Sequence, residues 1–364
     1  MRKLSRTMLF LLLLLVARGA AAGERSGEEI YQSTCASCHG GDGRGDPASR
    51  TGLPLAPADF TDCPRTNREP DHDWRAVVAE GGPARGFHRL MPAFGEVLSE
   101  REQEIVVEYV RGFCTDPVWP RGDLNLPRAL VTEKAYIEDE VVFTTAVDTD
   151  SPRRIDSQLL FEYRFLRRQM FEVRVPMSLA PIPDGSREVG LGDMAFALKS
   201  MLVANHRTGT ALSLGGEVVL PTGNQDKGFG KGVVIFEPFV AFGQILPWDS
   251  FLQVQTGAEI PAKETAGVDN EGFLRVAIGS TFVHGKYGRA FTPMVETIVF
   301  REIKGDAPTS VDLIPEIQIS LSKRQHILGC LGARLPTVNR ADRSPQVMAY
   351  LLWDFFDGGL FQGW

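Results

Sequence analysis

The sequence predicts a multidomain protein: a small all-α domain followed by an all-β antiparallel transmembrane barrel of about 12 strands. Three observations carry this. Apolar residues in the first third recur at helical spacing behind two capping boxes, they switch to period two after residue 116, and the alternating stretches are parted by Gly-, Pro- and Asp-rich turns. The chain's 364 residues allow two domains, and its 43% hydrophobic and 23% charged content, with 37 Gly and 23 Pro, excludes disorder, collagen and coiled coil. With 39 Lys+Arg against 46 Asp+Glu the net charge is -7, so no basic surplus points to nucleic acid.

The N-terminus carries Arg2, Lys3 and Arg6, an apolar run from Met8 to Ala17, then Gly19-Ala20-Ala21-Ala22. That order is a secretory signal over residues 1–22, cleaved after Ala22. Ten apolar residues make only about 15 Å of helix where a bilayer core needs roughly 30 Å, so the run is too short to span. No later stretch is long and apolar enough for a helix to cross, which leaves strands for any membrane passage. Export also brings the cysteines into an oxidising compartment.

Ser26 with Glu29 forms a capping box that opens a helix carrying Ile30, Tyr31 and then Cys35-Ala36-Ser37-Cys38-His39. The C-x-x-C-H spacing reads as covalent haem c attachment: two thiols for the vinyl groups, and His39 beneath the iron. A redox C-x-x-C competes, but it does not require the histidine. Asp73 to Val78 reads as a short helix stopped by Gly81-Gly82. Ser99 with Glu102 caps a last helix whose Ile105, Tyr109 and Phe113 form one apolar stripe facing the first.

Between these helices Met91-Pro92-Ala93-Phe94-Gly95 offers a thioether in a loop that Pro92 keeps from becoming helix, making Met91 the expected distal iron ligand; His72 and His88 are the rivals. Tyr31, CASCHG at 35–40, GDGRG at 41–45, MPAFG at 91–95 and EYVRGF at 108–113 together resemble a class I c-type cytochrome over residues 24–115. The resemblance implies a small all-α cytochrome c domain around a single covalent haem c that transfers one electron at a time. A haem peroxidase would need an open distal position, which Met91 would fill. Cys63 and Cys114 remain in this region; spacing does not decide whether they pair or stay apart.

Residues 116–135, from Asp116-Pro117 through Pro127, read as a linker, and 136–364 as the barrel. Leu159, Phe161, Tyr163 and Phe165 alternate with Gln158, Glu162 and Arg164, with Leu160 as an intruder. Val311, Leu313, Ile317 and Ile319 alternate with Asp312, Glu316, Gln318 and Ser320. Strands are expected near residues 144, 160, 174, 197, 214, 238, 255, 278, 297, 316, 330 and 350. A β-sandwich also alternates, but the strand length and the charges on the polar face favour a barrel with an aqueous lumen. Glu172, Asp193, Glu217, Glu259 and Glu316 are scattered lumen carboxylates without metal-ligand spacing, and Cys330 reads as a small buried hydrophobe. The chain ends in Leu360-Phe361-Gln362-Gly363-Trp364, and a terminal aromatic resembles the recognition signal of outer-membrane barrels. Gly190-Leu191-Gly192-Asp193, Leu220 to Asn224 and Gly228 to Gly232 resemble turn motifs of outer-membrane transporters grouped with aromatic degradation.

The domain order and C-x-x-C-H resemble the fused outer-membrane cytochrome-porins, some of which oxidise ferrous iron. This chain departs from them in a smaller barrel and a complete cytochrome domain. Twelve strands would leave a lumen of about 14 Å, too narrow for a domain roughly 30 Å across. The expected function is therefore electron transfer by an outer-membrane-anchored haem whose domain lies in the periplasm. Its partners would be a periplasmic electron carrier, outer-membrane lipid, and a small redox donor such as ferrous iron reached through the barrel. The alternative is a porin with a cytochrome docking or sensing module.

Overall fold

A computed structural model describes residues 25–47, 52, 54–116, 118–182, 186–265, 267–341 and 343–355; the expected signal at 1–22 and the terminal aromatic stretch at 360–364 lie outside them. The chain forms two compact units: Met1–Phe60 with Gly95–Phe113, and Thr61–Phe94 with Cys114–Trp364.

The first unit is built on α1 (Gly27–Thr34), the single turn α2 (Ala36–His39) and α5 (Glu100–Arg111). Both expected capping boxes form: Ser26 and Ser99 accept from the Glu29 and Glu102 amides, and those glutamates accept from the Ser26 and Ser99 amides. Helices α1 and α5 cross closely, because a Cβ on Gly27 would stand 2.6 Å from Tyr109 Cβ and 2.7 Å from Ile105 O. The stripe Ile105, Tyr109, Phe113 does meet α1, but it is only half-buried. Val106, Val107 and Val110 are the buried apolar residues of that helix, beside the polar Gln103 and Arg111.

In the second unit, twelve long antiparallel strands close into a barrel: β1 (Glu140–Asp148), β2 (Ile155–Leu166), β3 (Gln169–Pro181), β5 (Ala195–Asn205), β6 (Thr210–Val219), β7 (Ile235–Leu246), β8 (Ser250–Pro261), β9 (Glu271–Ser280), β11 (Ala290–Glu302), β12 (Ser310–Ser320), β13 (Ile327–Val338) and β14 (Gln346–Asp354). Short strands β4 (Arg187–Leu191) and β10 (Phe282–Val283) extend β3 and β11. The seam closes where Glu140 of β1 pairs with Asp354 of β14. Each expected strand centre falls within its observed strand.

The alternation points outward. Phe161, Tyr163, Phe165 and Leu198 are exposed on the outer wall, while Glu162, Arg164 and Lys199 are buried inside. Leu160, the intruder in the β2 pattern, is 2% exposed because it too faces inward, into an apolar cluster with Val142, Ile314 and Leu352. An apolar exterior around a polar interior inverts the soluble arrangement and is the pattern of a membrane-spanning barrel. At the seam end the connections 167–168, 206–209 and 247–249 are tight and 281–289 and 321–326 longer; at the far end they run from 149–154 up to 182–194 and 220–234, longer on the whole.

The interior is not an aqueous lumen. Residues 124–139, most of them expected to be linker, run through the bore and are buried along nearly their whole length. Leu124, Ala135, Tyr136 and Ile137 pack on Met170, Met201 and Phe239 of the wall, and Leu126 and Ala129 on Phe251 and Met294. Small wall residues make room: a Cβ on Gly332 would come within 2.6 Å of Leu130 Cδ1. A segment with no periodicity reads as a spacer. What holds this one is its backbone, which binds side chains that the period-two pattern had assigned to water.

Residues 61–94 carry α3 (Cys63–Thr66) and α4 (Asp71–Glu80), the latter stopped by Gly81 at φ 81° as the sequence implied. Cys63 and Cys114 form a disulfide, with Cα atoms 5.1 Å apart. This stretch is fastened to the seam end. Arg85 Nη1 donates to Tyr287 O at 2.6 Å, His326 Nε2 meets Glu69 at 2.9 Å, and the Arg324 guanidinium lies 4.3 Å from the Phe87 ring centroid.

Candidate functional site

Cys35, Cys38 and His39 are brought together by the break between α1 and α2. Thr34 Oγ1 bonds back to Ile30 O at 2.5 Å as α1 ends, and the chain restarts for one turn that presents both thiols and the imidazole. Both cysteines are half-buried thiols. Burial pushes the Cys35 thiol up, a group kept as a thiol rather than activated as a nucleophile.

Tyr31 anchors the turn. It is fully buried, its hydroxyl donates to Gly40 O at 2.7 Å, and its ring packs among Phe60, Tyr109 and Phe113. Gly43, at φ 76°, lets the following loop approach so closely that a Cβ would lie 2.7 Å from the Phe113 ring.

The imidazole of His39 stacks on Phe60 at 4.5 Å, and its Nδ1 lies 3.4 Å from Ala58 O. A carbonyl can only accept, so Nδ1 carries the proton and Nε2 keeps its lone pair. Burial lowers the His39 pKa, with the Ala58 contact opposing it, which favours the neutral ring a metal needs. Two free thiols, a pre-oriented neutral imidazole and an aromatic wall are the donor set for covalent haem c, and the residues present fit it. Neither Phe60 nor Ala58 was identifiable from the sequence, because nothing in the stretch 52–60 signals that it returns to the histidine.

Met91 lies in the second unit, half-buried in a loop held by its own backbone: its N–H donates to His88 O and its carbonyl accepts from Gly82 N at 3.0 Å. The rival histidines have their lone pairs engaged. His72 Nε2 lies 3.2 Å from Arg85 Nη2, a donor, and the ring packs on Tyr287. His88 Nδ1 accepts from Leu90 N at 3.2 Å, which puts its proton on Nε2.

The expected lumen carboxylates are engaged too. Glu316 accepts from Leu130 N at 3.1 Å and from the Cys330 thiol at 3.4 Å, so Cys330 is buried as expected but also hydrogen-bonded. Glu172 and Glu217 share Arg174, and Glu259 pairs with Lys231. Asp193 ties the three Gly-rich motifs together at the far end, accepting from Gly223 N at 2.9 Å and Lys231 N at 2.6 Å. Sequence reasoning missed the inner set altogether: Glu296 accepts from Val131 N, Thr132 N and Thr132 Oγ1, Arg128 bridges Glu140 and Glu162, and Lys199 pairs with Glu133. Its one signal was the charge density of Arg128, Glu133, Lys134, Glu138, Asp139 and Glu140.

Residues 22–110 match the family described as cytochrome c oxidase, cbb3-type, subunit III. The chain thus joins a c-type cytochrome domain to a twelve-stranded barrel. No curated protein matches it in sequence. Among solved structures it is similar to the NanC porin (TM-score 0.44, 8% identity, covering 59% of this chain and 98% of that one). It is also similar to an outer membrane channel from Pseudomonas putida F1 (0.40, 12%, 59% and 94%) and to the KdgM porin (0.40, 10%, 59% and 99%).

Proposed function

We propose that the chain is an outer-membrane-anchored electron-transfer protein that binds one haem c covalently through Cys35 and Cys38, with His39 and Met91 as axial ligands. The observation that carries the reading is the Nδ1 contact of His39 with Ala58 O, which leaves Nε2 with a lone pair in a half-buried aromatic pocket. Met91 is favoured over His72 and His88 because each of those rings already spends its lone pair within the protein. Bound haem supplies a one-electron iron couple. The protein orients His39, keeps it neutral, and shields one side of the site with Phe60.

The barrel acts as the anchor. Its apolar outer wall suits lipid, and the end with the shorter connections on the whole, to which residues 61–94 are fastened, corresponds to the end that faces the periplasm in outer-membrane barrels. On this reading the haem-bearing domain works in the periplasm and exchanges electrons with a periplasmic carrier. The filled bore counts against a donor diffusing freely through it and against a passive porin. It favours a redox partner that meets the cytochrome region directly, with ferrous iron as the trial small donor.

Proteoliposomes holding the full chain test this by stopped-flow absorption after a soluble reduced cytochrome or ferrous iron is added outside. The reading expects covalent haem reduced by the protein donor. It expects no haem on denaturing gels when Cys35→Ala is combined with Cys38→Ala. A chain without covalent haem, or one whose electron transfer survives that double substitution, contradicts it.

A further inference from the structure

Three carboxylates meet where the barrel closes. Glu138 comes from the end of the inner segment, Glu140 opens β1 and Asp354 ends β14, and one oxygen of each lies within 4.8 Å of the others. All three are at least nine-tenths buried. Oxygens bound at about 2.4 Å on opposite sides of one cation stand about 4.8 Å apart, so a single hard cation can touch all three without backbone movement.

Partial neutralisation is already in place. Lys134 pairs with Glu138 and lies 3.7 Å from Glu140 Oε2, while Arg128 takes the other Glu140 oxygen. Glu140 Oε2 and Asp354 Oδ1 are nevertheless buried with no hydrogen-bond partner, although the charges of Lys134 and His326 act on Asp354. A carboxylate oxygen buried without a donor is costly and points to a missing positive group. Glu133, Glu162 and Glu172 also cluster in the same bore, and there each carboxylate makes an ion pair, with Lys199, with the Arg128 it shares with Glu140, and with Arg174, although Glu162 Oε1 too lacks a hydrogen-bond partner.

We propose that Glu138, Glu140 and Asp354 bind a divalent cation of the oxygen-preferring class, Ca²⁺, Mg²⁺ or Mn²⁺, which clasps the inner segment to the first and last strands. Three chain elements, the inner segment, β1 and β14, share one ion. The clasp therefore acts on barrel closure and on retention of the segment, and it stands independently of the haem. The competing occupant is a proton shared between Glu140 and Asp354.

The test uses the full-length protein in detergent, stripped with EDTA and titrated with Mn²⁺, with bound ion read by electron paramagnetic resonance and barrel unfolding by heat-modifiable gel migration. The expected result is one Mn²⁺ per chain, displaced by Ca²⁺, and an unfolding temperature several degrees higher with the ion than without. Asp354→Asn and, separately, Glu138→Gln should weaken binding about tenfold or more by removing ligand charge, and remove the thermal shift. Absence of stoichiometric uptake by the unmodified chain overturns the proposal outright, which needs no variant to fold. Equal binding by either folded variant also overturns it, placing the ion elsewhere.

Discussion

Replacing Glu296 with alanine should unlatch the inner segment. Four consecutive amides, Leu130, Val131, Thr132 and Glu133, donate to Glu316, Glu296, Glu296 and Gln255 at 3.1, 3.0, 2.6 and 3.0 Å. Glu296 alone holds two of them and the Thr132 hydroxyl. The hydroxyl can rotate to another acceptor, but the two amides cannot. Each buried donor left without a partner costs about 1–3 kcal/mol, so Glu296→Ala removes about 2–6 kcal/mol from the closed arrangement. At about 1.4 kcal/mol per factor of ten, the population with the segment displaced rises between roughly 30-fold and 10⁴-fold. The assay is conductance of the full-length protein in planar lipid bilayers. The unmodified chain should be nearly silent, and Glu296→Ala should show resolved openings while its barrel still migrates as folded. Sustained porin-like conductance in the unmodified chain, or silence in a folded Glu296→Ala, would refute the reasoning.

The Cys63–Cys114 bridge closes a loop with a sequence separation of 51, so Cys63→Ser with Cys114→Ser should cost about 4 kcal/mol in the chain-entropy account. Denaturant unfolding of the two proteins, with a reductant control, checks it. Gly27→Ala places a methyl 2.6 Å from Tyr109 Cβ and should destabilise the α1–α5 crossing by about 1–3 kcal/mol, seen as an earlier helical transition in circular dichroism. Backbone N–H donation from Ser26 and Ser99 lowers the Glu29 and Glu102 pKa values. A depressed carboxylate pKa contributes stability above its unfolded value that is lost as pH falls through the folded one. Helical stability should therefore decline below the ordinary carboxylate range, and Glu29→Gln with Glu102→Gln should flatten that decline.

Much of this architecture was legible because it is written in local repeats. Capping boxes are contacts between residues three apart, C-x-x-C-H is five residues long, and period two in β2 and β12 needs no knowledge of the partner strand. The inner segment was illegible for the opposite reason. Its amides bind Glu296 and Glu316, more than 160 positions away in sequence, and nothing local distinguishes such a segment from a solvated linker. The period-two pattern also misassigned its own polar face. It separates inside from outside but does not distinguish water from protein as what fills the inside, so Glu162 and Glu172 looked like lumen charges when they are ion-pair partners of Arg128 and Arg174. The α5 stripe shows a related limit: Tyr109 and Phe113 do meet Tyr31, yet the deeper burial falls on Val106 and Val110, whose partners spacing does not reveal.

The absorption spectrum of the purified full-length protein, oxidised and dithionite-reduced, with Met91→Ala beside it, tests the central claim most directly. The account predicts haem that stays attached through denaturation, a low-spin ferric spectrum with the methionine-to-iron charge-transfer band, and loss of that band with a gain of carbon monoxide binding in Met91→Ala. A protein without covalent haem, or a Met91→Ala spectrum indistinguishable from the parent, would contradict it.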